Sequence, residues 1–218
     1  LFRSPAIAAG NTVVLKPSSQ TPVSSFKLAE LLKQAGLPDG ALIVTPCRGA
    51  KGNALVRDSR IALLTFTGSQ EVGWRLRGEV HAGVRVILEL GGNAGIVVHS
   101  DADLEAAAKA ACRGGYAHAG QICISVQRVY VQSKVYDQFL DKFKSLVAAL
   151  KVGDPLSDDT DVGPLIDAGS VDKTIEWVDE AVKGGAKLLH GGKKCGNNVN
   201  GTFAYTLPVG HQVRMDMD

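Results

Sequence analysis

The sequence predicts an α/β fold built on parallel strands, and three observations carry that prediction. Short apolar runs alternate with amphipathic segments through the first part of the chain, the pattern of a βαβ array. One amphipathic segment, residues 24–35, places Leu28, Leu31, Leu32 and Ala35 at helical spacing and meets a stop signal at Gly36 and Pro38. The apolar run 84–88 leads straight into the glycine pair Gly91-Gly92, as a strand does when it delivers the chain to a ligand-facing turn.

In order, the predicted elements are strand 12–16, helix 24–35, strand 41–45, strand 61–66, helix 70–80 and strand 84–88. A second group follows: strand 95–99, an Ala-rich helix 101–117, strand 127–132, and helices 136–151 and 171–183. The face of helix 24–35 should pack on the sheet. Residues 191–201 are rich in glycine, asparagine and lysine without periodicity and read as a surface loop. No repeat or low-complexity linker interrupts the chain.

At 218 residues the chain can bury the core of one domain or two small ones. Apolar residues at 45% and charged residues at 21% are those of an ordinary soluble globular protein, and a net charge of +2 gives no reason to expect nucleic acid. No stretch approaches the roughly 20 apolar residues that span a bilayer, and residues 1–5 lack the organisation of a secretion signal. A cytoplasmic setting and a small-molecule partner are the expectation. Cys47, Cys112, Cys123 and Cys195 are irregularly spaced, without a Cys-x-x-Cys pair or disulfide density, so reduced thiols are expected. The histidines show no ligand spacing, and no metal site is expected.

Chemistry concentrates in two places. Cys123 lies in Gly120-Gln121-Ile122-Cys123-Ile124-Ser125, and Glu89 lies in Leu88-Glu89-Leu90-Gly91-Gly92-Asn93. They supply a soft nucleophile and a carboxylate base beside glycines or small polar residues. A cysteine without such a setting is more often a small buried hydrophobe, the reading for Cys47 and Cys112. Glu89 could alternatively be a capping or surface carboxylate. His118, close to Cys123 in sequence, raises a cysteine–histidine hydrolase, but spacing alone is no evidence of a hydrogen bond and a structural histidine at a helix end is preferred.

Gly68-Ser69-Gln70-Glu71-Val72-Gly73 follows a strand and opens a helix, which places backbone N–H groups where a phosphate could accept from them; alone, the pattern is also that of a simple strand-to-helix turn. Lys16 ends a strand, and Pro17 disfavours helical geometry there, so the ammonium can project from the strand end. A solvent-exposed lysine is the plain alternative.

Together the Glu89 and Cys123 motifs, Leu15-Lys16-Pro17-Ser18-Ser19-Gln20-Thr21-Pro22 and Phe66-Thr67-Gly68-Ser69 resemble the aldehyde dehydrogenase superfamily in order and rough spacing. Further matches run from Pro5-Ala6-Ile7-Ala8-Ala9-Gly10-Asn11 through Val152-Gly153-Asp154-Pro155 to Thr160-Asp161-Val162-Gly163-Pro164-Leu165-Ile166. The fit weakens after Lys193. The resemblance implies a Rossmann-like parallel sheet, with residues 1–88 as the later part of a cofactor-binding domain and 89–218 as part of an α/β catalytic domain.

It further implies that Cys123 attacks an aldehyde to give a thiohemiacetal, that hydride passes to the nicotinamide of NAD or NADP, and that water activated by Glu89 hydrolyses the resulting thioester. Lys16 would serve the adenosine ribose, Gly68 and Ser69 the pyrophosphate, and Gly73 and Leu90 the same cofactor site. Many NAD-preferring relatives carry glutamate where this chain has Ser19, so NADP use is expected. A homo-oligomeric parent is implied as well.

Two alternatives stand beside this reading: an acylating enzyme that passes the thioester to coenzyme A, against which Glu89 argues, and a noncatalytic binding or structural module. Thr45-Pro46-Cys47 replaces a Thr-Gly turn common in relatives, and Tyr205-Thr206-Leu207-Pro208 only loosely resembles the usual Pro-Thr ending. An upstream Pro-Trp-Asn segment and a downstream Glu-Glu-x-Phe-Gly-Pro segment are not seen, which suggests an internal fragment whose isolated activity would be low.

Overall fold

A computed structural model of the chain describes residues 3–199, 202–205 and 214–215. The chain divides into two compact units, Leu1–Leu90 and Gly91–Asp218. In the first unit, helix α1 (Arg3–Ala8) precedes strand β1 (Val13–Leu15), helix α2 (Val23–Gln34) and strand β2 (Leu42–Val44). Helix α3 (Gly49–Val56) leads to strand β3 (Leu63–Thr67), helix α4 (Gln70–Glu79) and strand β4 (Arg85–Glu89). β1 pairs with β2 and β3 with β4, both parallel, so β1-α2-β2 and β3-α4-β4 are two βαβ units.

Local chemistry sets the ends of these elements. α2 stops where Gly36 takes φ 91°, with the Gly36 N–H on the Lys33 carbonyl and the Leu37 N–H on the Leu32 carbonyl, and Pro38 follows. This is a Schellman ending, which satisfies carbonyls the last turn leaves orphaned. α4 starts at Ser69, whose hydroxyl oxygen lies 3.4 Å from the Val72 N–H it accepts from.

The second unit opens on a third βαβ: strand β5 (Ala94–Val98), helix α5 (Leu104–Tyr116) and strand β6 (Val126–Gln132), with β5 and β6 parallel. Helix α6 (Tyr136–Ala149) and helix α7 (Ala168–Lys183) complete the packed body. Its core has two parts. Val98, Ala108, Ala111, Val131, Tyr136 and Phe139 close the space between strands and helices α5 and α6. Cys112, Ala119, Val147, Val162, Leu165 and Val171 form the other, joined to the first through Phe143, which stacks on Phe139 with ring centroids 5.7 Å apart. Strand β7 (Lys194–Val199) pairs antiparallel with strand β8 (Thr202–Tyr205), and strand β9 (Arg214–Met215) pairs parallel with β6.

The structure corrects three expectations. Residues 194–199 form strand β7 rather than surface loop, because a glycine- and asparagine-rich strand lacks the alternation that would mark it but can still pair its backbone with β8. The face Leu28, Leu31, Leu32 and Ala35 is largely exposed: α2 lies against β2 but holds no buried residue, and only Leu32 of the four is half-buried. β1 and β2 have three residues each and run about 10 Å, whereas the twelve residues of α2 run about 18 Å, too long for that pair to cover. Cys47 is half-buried rather than buried. Residues 200–201 of the expected loop, and Thr206, Leu207 and Pro208, lie outside the described residues. No helix among the described residues is long and apolar enough to cross a membrane.

Candidate active site

In the first unit the candidate residues gather at the carboxyl ends of the parallel strands, where ligands bind in open α/β sheets. Lys16 follows β1 and its ammonium turns back to donate to the Pro17 carbonyl at 2.8 Å. A Cβ on Gly52 of α3 would fall 2.8 Å from Lys16 Cδ, so the bare glycine makes room for the lysine stem. Ser19 Oγ donates to the Cys47 carbonyl at 3.3 Å, which sets Lys16, Ser19, Cys47 and Gly52 side by side at the β1–β2 end.

The β3–β4 end is built differently. Glu89 closes β4, exposed and opposite Thr67, and its carbonyl accepts from the Gly68 N–H at 3.0 Å. The Phe66 ring folds over Gly68, where a Cβ would meet it at 2.5 Å, and Leu90 fills the space at Gly73, again at 2.5 Å from a hypothetical Cβ. Gly68, Gly73, Leu90 and Glu89 are therefore neighbours. Past Ser69 the first-turn amides of α4 have no acceptor within the helix, which suits them to an anionic oxygen, although Glu71 adds a negative charge to that turn.

In the second unit Cys123 is exposed and free on a turn between α5 and β6. The turn is entered through backbone of unusual shape: His118 (φ 50°), Ala119 (φ 56°) and Gly120 (φ 73°) are all left-handed. For the two non-glycine residues this costs about 1–2 kcal/mol each, so the surroundings must enforce it. They do. Ala119 is buried in the core beside Cys112 and Leu165. The Gln121 amide donates to the His118 carbonyl at 3.2 Å and its oxygen accepts from the Ile166 N–H at 2.9 Å. The Ser125 N–H closes the turn onto the Ile122 carbonyl at 3.0 Å.

Gly92 completes this arrangement. A Cβ there would fall 2.2 Å from the Cys123 carbonyl oxygen, a contact only a bare backbone can make. Cys112, by contrast, is buried, and burial together with the nearby Asp161 carboxylate raises its pKa, which leaves it a poor nucleophile. His118 is exposed and lies just past the end of α5, in the strained turn itself. Among the described residues no group of three or more His, Cys, Asp or Glu could hold a metal ion.

Sequence reasoning missed Gly52, the left-handed turn and the Gln121 clamp. The clamp's only sequence signal was the presence of Gln121 and Ile166 in two separate family-like motifs.

The chain resembles known proteins throughout its length. It is 47% identical over 194 residues to a 3-sulfolactaldehyde dehydrogenase of Priestia aryabhattai, covering 88% of this chain and 40% of that protein. It is 42% identical over 214 residues to an Escherichia coli succinate-semialdehyde dehydrogenase [NADP(+)], covering 96% of this chain and 44% of that one. A lactaldehyde dehydrogenase structure from Escherichia coli superposes with a TM-score of 0.91 at 34% identity, covering 98% of this chain and 45% of that one. The chain thus spans less than half the length of these relatives. The aldehyde dehydrogenase family matches residues 3–217 of the 218, a span that takes in every described residue, and the chain belongs to that family.

Proposed function

We propose that the protein oxidises an aldehyde to a carboxylic acid with NAD or NADP, Cys123 acting as nucleophile and Glu89 as base. One observation carries this reading: the exposed free thiol sits on a pinned turn, and that turn's backbone is met by Gly92, the second glycine of the sequence run in which Glu89 also stands. The Cys123 thiolate adds to the aldehyde carbon, and the carbonyl π electrons move to oxygen to give the thiohemiacetal as its oxyanion. A bound nicotinamide cofactor would supply the acceptor for the hydride this carbon gives up as the oxyanion collapses to a thioester on Cys123. Water then attacks the thioester carbon as Glu89 takes one of its protons, and the tetrahedral adduct collapses with cleavage of the C–S bond to release the carboxylic acid and the Cys123 thiolate.

Lys16 and Ser19 would hold the adenosine ribose, Gly68 and Ser69 the pyrophosphate, with Gly73 and Leu90 shaping the same site. The first-turn N–H groups of α4 suit a phosphate, and the E. coli relative named for NADP(+) supports use of that cofactor. Residues 1–88 serve the cofactor and 89–218 the chemistry. A cytoplasmic, homo-oligomeric protein completes the proposal, a reducing compartment being consistent with the free thiols.

The test uses protein expressed from its complete reading frame, assayed with a panel that includes succinate semialdehyde. Cys123→Ala should abolish oxidation and leave cofactor binding within about threefold, whereas Cys47→Ala and Cys112→Ala retain covalent chemistry. Glu89→Gln should slow acid release and accumulate a thioester visible by mass spectrometry, after a burst of reduced cofactor. Equal loss in all three cysteine variants, or an unchanged Glu89→Gln enzyme, would remove these roles. Assay with and without coenzyme A separates hydrolysis from acyl transfer.

A further inference from the structure

The last turn of α5 is shaped to receive Ser125 and Val126, the second and third residues after the thiol. Its final carbonyls lack acceptors' usual partners, as at any helix end. Ser125, only 2% exposed, supplies them: its Oγ lies 3.3 Å from both the Gly114 and Gly115 carbonyls and donates its proton to this pair. Both positions are glycine for a physical reason. A Cβ on Gly114 would meet Val126 Cγ2 at 2.7 Å, and one on Gly115 would meet the Val126 carbonyl oxygen at 3.2 Å. The Gly114-Gly115 pair is thus a slot in which Ser125 and Val126 lie against the helix backbone.

Ser125 also ends the turn that presents Cys123, because its own N–H donates to the Ile122 carbonyl. The same residue therefore closes the thiol's turn and fixes that turn to α5. We infer that Ser125 is a positioning residue for Cys123, registering the nucleophile against α5 through its hydroxyl. The inference rests on the proposed role of Cys123 as nucleophile. Misplacing a reacting atom by about 1 Å can cost on the order of 100-fold in rate, so loss of this register should be visible in chemistry and not only in folding.

The experiment compares Ser125→Ala and Gly115→Ala with wild type and Cys123→Ala, each expressed from the complete reading frame. Ser125→Ala deletes the donor. Gly115→Ala presses on the Val126 carbonyl while improving a helical position, so it alters register without weakening α5. Three readouts are taken: thermal unfolding, kcat and KM for aldehyde oxidation, and the rate and pH profile of Cys123 alkylation by iodoacetamide. Both variants should lower kcat by about tenfold or more, change KM by less than about threefold, and slow or shift the alkylation profile, with Gly115→Ala still unfolding cooperatively.

If Ser125→Ala does not fold, Gly115→Ala decides alone. Wild-type kcat and alkylation in whichever of the two variants fold would overturn the positioning role. If Cys123→Ala retains activity, the nucleophile assignment fails instead, and the two failures are told apart by that one variant.

Discussion

Ser19 presents a small neutral hydroxyl on the segment that follows Lys16, and in the proposed site that pairing decides which ribose is tolerated. A carboxylate at this position would accept from a ribose hydroxyl but repel a 2′-phosphate, whereas serine can donate to the phosphate and Lys16 adds favourable charge. Ser19→Glu should weaken NADP more than NAD, by about 1–3 kcal/mol for a lost contact to a charged group. Titration of both cofactors against wild type and variant measures it, and an unchanged ratio would refute the assignment. The thiol at Cys123 was legible at this scale because its neighbours are chemically distinctive. His118 and Ala119 were not: nothing in either side chain announces a positive φ, which is imposed by the burial of Ala119 and the Gln121 hydrogen bonds.

Among the elements, helices with a clear apolar stripe or capping residue were legible to within a few residues. α5 is the firmest, with Asp103 accepting from the Glu105 and Ala106 N–H groups at 3.0 and 3.1 Å. Asp103→Ala should lower stability by about 1 kcal/mol. Since the Ser125 anchor is at the opposite end of this helix, kcat per folded molecule should stay at the wild-type value. Denaturant unfolding and active-site-normalised turnover check both halves of that expectation. α3 escaped the sequence reading because Gly49-Ala50-Lys51-Gly52-Asn53-Ala54-Leu55-Val56 carries two glycines, each a poor helix former; Gly52 packs on the Lys16 stem instead. β7 escaped it because pairing of backbone, not side-chain alternation, makes that strand.

Across the whole molecule, the resolved electrostatic effects on acidic side chains fall in both units and have one sign. In the first, Arg60 holds the Asp58 carboxyl far below the usual range, and Arg75, helped by Arg57, lowers that of Glu79. In the second, Lys142 and Lys109 lower Glu105, His99 lowers Asp101, and hydrogen bonds from Ser170 lower Asp167. A carboxyl whose folded pKa lies below its unfolded value adds stability that is fully present above the unfolded value, about 4, and is lost as pH falls through the folded one. Melting temperature should therefore be insensitive to these groups above about pH 5 and drop below about pH 4. Glu79→Gln and Glu105→Gln should each flatten that acid limb, and a slope unchanged in the double variant would contradict the linkage. The clamp around Cys123 has a consequence for solvent access to the backbone. Gln121, Ser125 and Ile166 lie outside every regular helix and strand, yet their N–H groups are held by the His118 carbonyl, the Ile122 carbonyl and the Gln121 side chain. Such amides can trade their protons for deuterium only when the local structure opens. In heavy water these three should retain protons well after the loop amides that make no hydrogen bond have exchanged, reporting the tightness of the thiol's surroundings without any substrate or cofactor being added.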